Sequence, residues 1–245
     1  MGFIYARSCM QKGVFLLKKI SPLILCRRIL VYCAGLFIMS MGVSLSVLSD
    51  LGVSPMNSVP YVLSEIITSI SMGTFTTALF CSYIAIQAIL LGRKFRPVIL
   101  LQILSSFIFG WFVDLPNFLT GLVLTAPSSY IMRIVFLVIS MACVGFGIFL
   151  YVSPRLPPLP GEGVMQVVSE KFRIPLHWAK MGFDAAVTTI ALILSVVFFH
   201  GLHGVREGTI LSAFGVGKFL GLFIKLFQSR LNRFIAVESP APEDV

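Results

Sequence analysis

Gly42–Glu65 reads GVSLSVLSDLGVSPMNSVPYVLSE, and 105 positions later Gly147–Glu170 reads GIFLYVSPRLPPLPGEGVMQVVSE. Nine of the 24 aligned positions are identical: Gly42/Gly147, Leu45/Leu150, Val47/Val152, Leu51/Leu156, Pro55/Pro160, Val59/Val164, Val62/Val167, Ser64/Ser169 and Glu65/Glu170. Each copy ends a long apolar run with a Pro- and Gly-containing break, then continues into a short amphipathic segment. A chain that carries such a break twice has an internal repeat, and the fold must account for both copies.

Working outward, composition places the repeat in a membrane. Of 245 residues 57% are hydrophobic and 12% charged, with a mean hydropathy of +0.96. A soluble domain of this length cannot hide that much apolar surface. The net charge of +9 falls in short clusters between apolar runs rather than in one patch, which argues against nucleic acid as a partner. Five cysteines show no CxxC or metal-ligand spacing and read as small apolar filler.

Apolar runs long enough to cross a bilayer as helices lie near Ile29–Leu48, Gly73–Leu91, Pro97–Val113, Tyr130–Val152, Trp178–Phe199 and Thr209–Phe227. The pieces Asn57–Ser71 and Glu162–Phe172 are too short and too polar on one face to span. Val59, Val62, Leu63, Ile66, Ile67 and Ile70 form the apolar stripe of the first, and Val164, Val167, Val168 and Phe172 keep much of it in the second. With six spans and a cytoplasmic N-terminus, sixteen of the 19 Lys and Arg fall inside. Arg133 and Arg206 fall outside, and Lys218 lies within a span. If Asn57–Ser71 crossed, Arg93, Lys94 and Arg96 would move outside, against the charge rule.

Three spans per copy turn the second copy upside down. The likeness continues at a shift of 107, where Ile103–Leu115 (ILSSFIFGWFVDL) and Ile210–Leu222 (ILSAFGVGKFLGL) share seven of 13 residues. The expected fold is therefore an all-α integral membrane protein: six transmembrane helices in two inverted-topology repeats, each with a short re-entrant amphipathic helix. The expected division is a basic cytoplasmic segment over residues 1–27, a single membrane domain over 28–233, and a disordered acidic tail over 234–245. Within the membrane domain, repeat 1 covers about 28–115 and repeat 2 about 130–227. Residues 1–20 carry no small-residue cleavage site and read as a cytoplasmic lead.

The pattern G-x-x-L-x-V-x-x-x-L-G-x-x-P at Gly42–Pro55, the short helix after it and the block LSSFIFGWFVDL at Leu104–Leu115 resemble the YczE/YyaS/YitT group of bacterial membrane proteins. The likeness spans roughly Arg28 to Arg233 and is closer in the first half. It implies a multi-pass protein of the bacterial inner membrane and no particular substrate. Asn57 departs from the acidic residue that the resemblance implies there.

Chemistry has to come from the few polar groups at membrane depth. Asn57 and Ser58 follow Ser54 and Pro55 at the start of the first short helix, and Gly161, Glu162 and Gly163 hold the equivalent place in the second. Two helix N-termini aimed at the midplane suit an anionic or zwitterionic group. Asn57 and Glu162 are equally placed to cap those helices. Glu162 itself argues for a zwitterion, a cation or a protonated site. Asp184, inside the fifth span, is costly unless protonated, hydrated or paired, and Lys218 is its candidate partner. That pair reads either as a structural ion pair or as a proton- or ion-coupling site. Gln102 either bonds between helices or lines the cavity. Glu65 and Glu170 read as solvated or interfacial, and Asp114 as solvated near the outer face. His177, His200 and His203 fall on opposite sides and cannot form one metal site. Walker, GxSxG and HExxH motifs are absent, so no enzyme and no cofactor is expected. The sequence points to a secondary transporter or exporter of a small polar or anionic metabolite. Its partners would be lipid, the solute, and a second copy or another membrane protein. The alternative is a non-transporting scaffold or accessory subunit of another membrane complex.

Overall fold

The computed structural model of the chain describes residues 21–92, 97–123, 127–201 and 204–235. Arg93, Lys94, Arg96, His203, residues 1–20 of the basic lead and residues 236–245 of the acidic tail lie outside the described residues.

The described residues form eight α-helices: α1 Pro22–Ser49, α2 Pro55–Ile66, α3 Met72–Leu91, α4 Leu101–Val123, α5 Tyr130–Val152, α6 Pro160–Phe172, α7 Leu176–Phe199 and α8 Glu207–Phe234. All but α2 and α6 are long and apolar enough to cross a membrane. Large apolar side chains on their outward faces, such as Leu104, Phe107, Trp111, Ile131, Ile193 and Phe214, are exposed, as a surface solvated by lipid requires.

Several boundaries differ from expectation: α2 ends at Ile66 rather than Ser71, and α8 runs on to Phe234 rather than ending at Phe227. α1 starts at Pro22, inside the segment read as a lead, because Arg28 continues the helix with a buried side chain whose Nε donates to Ile235 O at 3.2 Å. The third run opens with a 3₁₀ turn at Pro97–Leu100 before α4, which then continues ten residues past Val113 with Pro116 inside it.

α1 and α5 make the central and most extensive contact. Small residues allow it: a Cβ added at Gly35 would lie 2.5 Å from Tyr151 N, and one at Gly147 would lie 2.6 Å from Met39 N. Ser140 Oγ, buried in the same seam, donates to Gly42 O at 2.7 Å. α4 packs on α1, and α8 on α5. The short helices cross over: α2 packs on α7, and α6 on α3. The main core joins Leu36, Met39 and Val43 of α1 with Phe80 and Tyr83 of α3, Phe109 and Val113 of α4 and Tyr151 of α5.

Candidate functional site

The site grows from the two breaks, whose backbones agree at two matched points. Asp50 (φ 53°) and Arg155 (φ 58°), 105 positions apart, both take the left-handed conformation and close the ends of α1 and α5. Their N–H groups donate to Val47 O and Val152 O at 3.1 and 3.2 Å. Four residues later Ser54 (φ −59°, ψ 150°) and Leu159 (φ −60°, ψ 150°) lead into Pro55 and Pro160 at the first helical position. Proline suits that place, since its φ is already helical and its missing N–H would have had no helical acceptor.

Neither short helix is capped by a side chain. The capping roles read for Asn57 and Glu162 are therefore not made. Asn57 Nδ2 donates to Ser54 Oγ at 2.9 Å, and Ser58 Oγ donates to Pro55 O at 2.7 Å. The first break satisfies its own polar side chains locally.

The two N-terminal turns meet. Met56 of α2 lies against Gly161 of α6, and a Cβ at Gly161 would also come 3.8 Å from Phe183 Cζ of α7. On its other side α6 abuts two buried amides. Gln87 Nε2 of α3 donates to Gln102 Oε1 of α4 at 3.0 Å and to Pro160 O at 3.1 Å. A Cβ at Gly163 would fall 2.6 Å from Gln87 Oε1 and 2.9 Å from Gln102 Nε2, so the residue there has to be small. Gln87 Oε1 itself has no hydrogen-bond partner among the described residues.

Glu162 turns to a third side. Its surroundings are buried, while its own side of the helix stays partly exposed. The Tyr151 hydroxyl of α5 is the group that interacts with its carboxyl, and Tyr32 of α1 and Lys180 of α7 are near enough to act on it. Tyr151 Oη makes no hydrogen bond of good geometry and is fully buried. Tyr32 stands edge-on to Tyr151 with ring centroids 5.9 Å apart, its hydroxyl donating to Pro157 O at 3.1 Å.

Asp184 is paired, but not with Lys218. Its Oδ2 lies 2.7 Å from Lys180 Nζ, one turn back on the same helix, while Lys218 on α8 is exposed and makes no ion pair among the described residues. α7 and α8 do not pack as α3 and α4 do, so the expected partner is out of reach. Asp114, read as solvated, caps α3 instead: Oδ1 accepts from Gly73 N and Oδ2 from Ser71 Oγ, both at 2.7 Å.

Of the residues expected at the site, Gly161, Gly163, Glu162 and Gln102 come together at the start of α6. Ser54, Pro55, Asn57 and Ser58 reach them only through Met56. Tyr151, Tyr32, Gln87 and Lys180 were not singled out. Gln87 had the same signal as Gln102, a polar amide inside an apolar run; the tyrosines had none, since an aromatic residue in a span reads as packing. A separate cavity of about 240 Å³ lies along the C-terminal half of α2, with Ser44, Tyr61, Glu65, Asn117 and Thr120 in its wall. Among the described residues no cluster of His, Cys, Asp and Glu is arranged to hold a metal.

A family model described as a family of unknown function, DUF6198, matches residues 26–225. The chain is 26% identical over 212 residues to the uncharacterised membrane protein YczE of Bacillus subtilis, covering 86% of this chain and 91% of that one. It is 24% identical over 197 residues to the uncharacterised protein YyaS of the same organism, covering 80% and 92%. An uncharacterised protein of Haemophilus influenzae is 25% identical over 195 residues, covering 78% and 81%. The resemblance to YczE and YyaS read from the sequence is thereby met. No solved structure matches the chain.

Proposed function

We propose that this chain, which belongs to the DUF6198 family of membrane proteins, is a non-enzymatic secondary transporter of small polar metabolites. In this reading it lies in the bacterial inner membrane with both termini cytoplasmic. Its two halves are inverted repeats, and α2 and α6 are re-entrant helices entering from opposite faces. The observation that carries the reading is the contact of Met56 with Gly161, which joins two N-terminal turns that enter with the same dihedrals and a proline and carry no side-chain cap. Helices that only braced the interface would have no reason to bury their starting turns against each other. Reciprocal packing adds support, since α2 on α7 and α6 on α3 exchange under the repeat, as do α1 on α4 and α5 on α8.

A second reading, an accessory subunit of another membrane complex, rests on α8. Only 6% of its apolar window is buried, against 56% for α1. That face is available to another membrane protein as readily as to lipid.

The test is counterflow in proteoliposomes across amines, amino acids, sugars and organic acids. At least one class should move saturably, and Gly161→Leu, which fills the contact between the two turns, should cut that rate at least tenfold while the protein stays monodisperse. If no class exceeds protein-free vesicles, the transport reading falls.

A further inference from the structure

We propose that the cavity along the C-terminal half of α2 is a binding site for a small organic amine, whose ammonium group is held by Glu65 at the mouth. The site goes beyond the transport reading: the cavity stands apart from the contact of Met56 with Gly161, and it binds whether or not a solute crosses.

Four helices build the space. Ser44 of α1, Tyr61 and Glu65 of α2, Met72 of α3 and Asn117 of α4 all line one cavity of about 240 Å³. Ser44 and Met72 are buried at its base, while Glu65 and Gly121 are exposed at its mouth. A Cβ on Gly121 would meet nothing within 4 Å. A cavity of about 150 Å³ already takes benzene, so a ring or short chain with a polar head fits here.

Charge decides between cation and anion. Among the described residues that line the cavity, Glu65 carries the one formal charge, and it makes no ion pair. The acids on neighbouring elements already have partners. Asp50, after α1, pairs with Arg133 at 2.6 Å and Arg206 at 3.7 Å, and Asp114 of α4 accepts from Gly73 N and Ser71 Oγ. A carboxylate without a counter-ion, at the mouth of a cavity lined by no basic side chain, draws in a cation and repels an anion.

Hydrogen bonding points the same way, because the hydroxyl protons of the wall are committed inside the protein. Thr120 Oγ1 donates to Pro116 O at 2.8 Å, which leaves Ser44 Oγ to donate to Thr120 Oγ1 at 2.6 Å. Ser64 Oγ donates to Tyr61 O at 2.8 Å, and Asn117 Nδ2 reaches Met72 Sδ at 3.6 Å. These groups keep mainly acceptor capacity, to which Glu65 adds two carboxyl oxygens. An ammonium brings three donors and no acceptor and matches such a wall; an anion would set acceptors against acceptors. Val47, Leu48 and the Tyr61 ring supply the apolar lining that an organic body needs. One carboxylate in that lining is a poor cage for Ca²⁺, which takes about six to eight oxygen ligands.

The space is particular to the first half. At the shifts of 105 and 107, Phe149 stands for Ser44 and Phe227 for Thr120. Both rings pack on Phe146, with centroids 6.1 and 6.4 Å away. Small hydroxyl side chains thus line a space in one half where the other half places phenylalanine rings.

The experiment is equilibrium binding of benzylammonium to the purified full chain in detergent, with protein-free micelles subtracted. Benzyl alcohol and benzoate serve as neutral and anionic probes of similar shape. Benzylammonium should bind saturably, benzyl alcohol about fivefold more weakly, and benzoate not at all. Glu65→Gln should weaken benzylammonium by about fivefold, as loss of an exposed ion pair does, and leave benzyl alcohol unchanged. Gly121→Leu and Thr120→Phe, which put bulk into the cavity, should weaken both probes, and Gly161→Leu should weaken neither. Benzylammonium affinity unchanged by Glu65→Gln or by Gly121→Leu, or benzoate binding as tight as the amine, overturns the site. Equal affinity for benzyl alcohol and benzylammonium would make the cavity a seat for an apolar chain, and displacement by equimolar Ca²⁺ would make it a metal site; either result overturns the amine. Should Glu65→Gln fail to fold, the order of the three probes on the native chain decides. Binding without counterflow of any solute removes the transporter and keeps this site; counterflow of other solutes without benzylammonium binding removes the site and keeps the transporter.

Discussion

The helix pair that closes each half is built differently. In the first half α3 and α4 meet along their length. Asp114 clamps the start of α3 through Gly73 N and Ser71 Oγ, Thr77 Oγ1 reaches Ser106 O at 3.4 Å, and Gln87 joins Gln102 at the far end. Gly73 and Gly110 make that approach possible, since a Cβ on Gly110 would lie 2.6 Å from Gly73 O. In the second half the counterpart helices α7 and α8 make no comparable contact. At a shift of 107, Gly217 stands for Gly110 and Gly221 for Asp114; at a shift of 105, Trp178 stands for Gly73. A Cβ on Gly217 or Gly221 would meet nothing within 4 Å. The clamp is missing and a bulky ring stands where a glycine is needed. The breaks thus match between the halves, while a few residues lock one helix pair and leave the other apart. Under the transport reading the locked pair seals one face, and the unlocked pair borders the path to the other.

The largest effect that could break this comparison comes from matched glycines. Gly110→Val should destabilise the protein by roughly 3 kcal/mol, because the extra carbons strike the Gly73 carbonyl as well as the Thr77 hydroxyl, which is held by its own hydrogen bond to Gly73 O. Gly217→Val should leave the melting midpoint in detergent nearly unchanged. Equal losses in thermal melts of the two variants would mean that α7 and α8 close on each other or on a partner.

Legibility followed the type of signal. The six spans, the two short helices and the family were readable because apolar length, Pro and Gly punctuation and a repeat of 105 residues survive in one dimension. A further match, Arg28 with Arg133 at the same shift, became meaningful only with the structure. Arg28 bonds Ile235 O, whereas Arg133 pairs with Asp50 at 2.6 Å, and Arg155 stands where Asp50 would be needed to repeat that pair. At the site Glu162 and the two glycines were readable from their place in the break. Its tyrosines were not, since nothing in an apolar run marks which aromatic residue will face a carboxyl. The partner of Asp184 was misread because helix depth alone does not say which helices touch. Lys180 was available at i−4 on the same helix, a shorter reach than any interhelical pair.

A smaller effect tests the clamp directly. Asp114→Ala removes two charge-assisted hydrogen bonds from the start of α3 and should lower stability by about 1–2 kcal/mol. Asp114→Asn keeps one acceptor oxygen and should recover part of that loss. Gly221→Asp places a carboxylate at the matching point of the second half, where no contact awaits it, and should add nothing. A stabilising Gly221→Asp in chemical or thermal melts would show that α7 and α8 approach each other after all.

The smallest effect concerns Asp184. Its ion pair with Lys180 is an i,i+4 contact with the lysine more than a third exposed, so the pair is worth about 0.5 kcal/mol, close to what exposed pairs and polar contacts in membranes give. A double-mutant cycle of Asp184→Asn with Lys180→Met should return a coupling of that size, and a cycle with Lys218→Met should return none. Coupling between positions 184 and 218 would bring α8 against α7 and erase the difference between the halves.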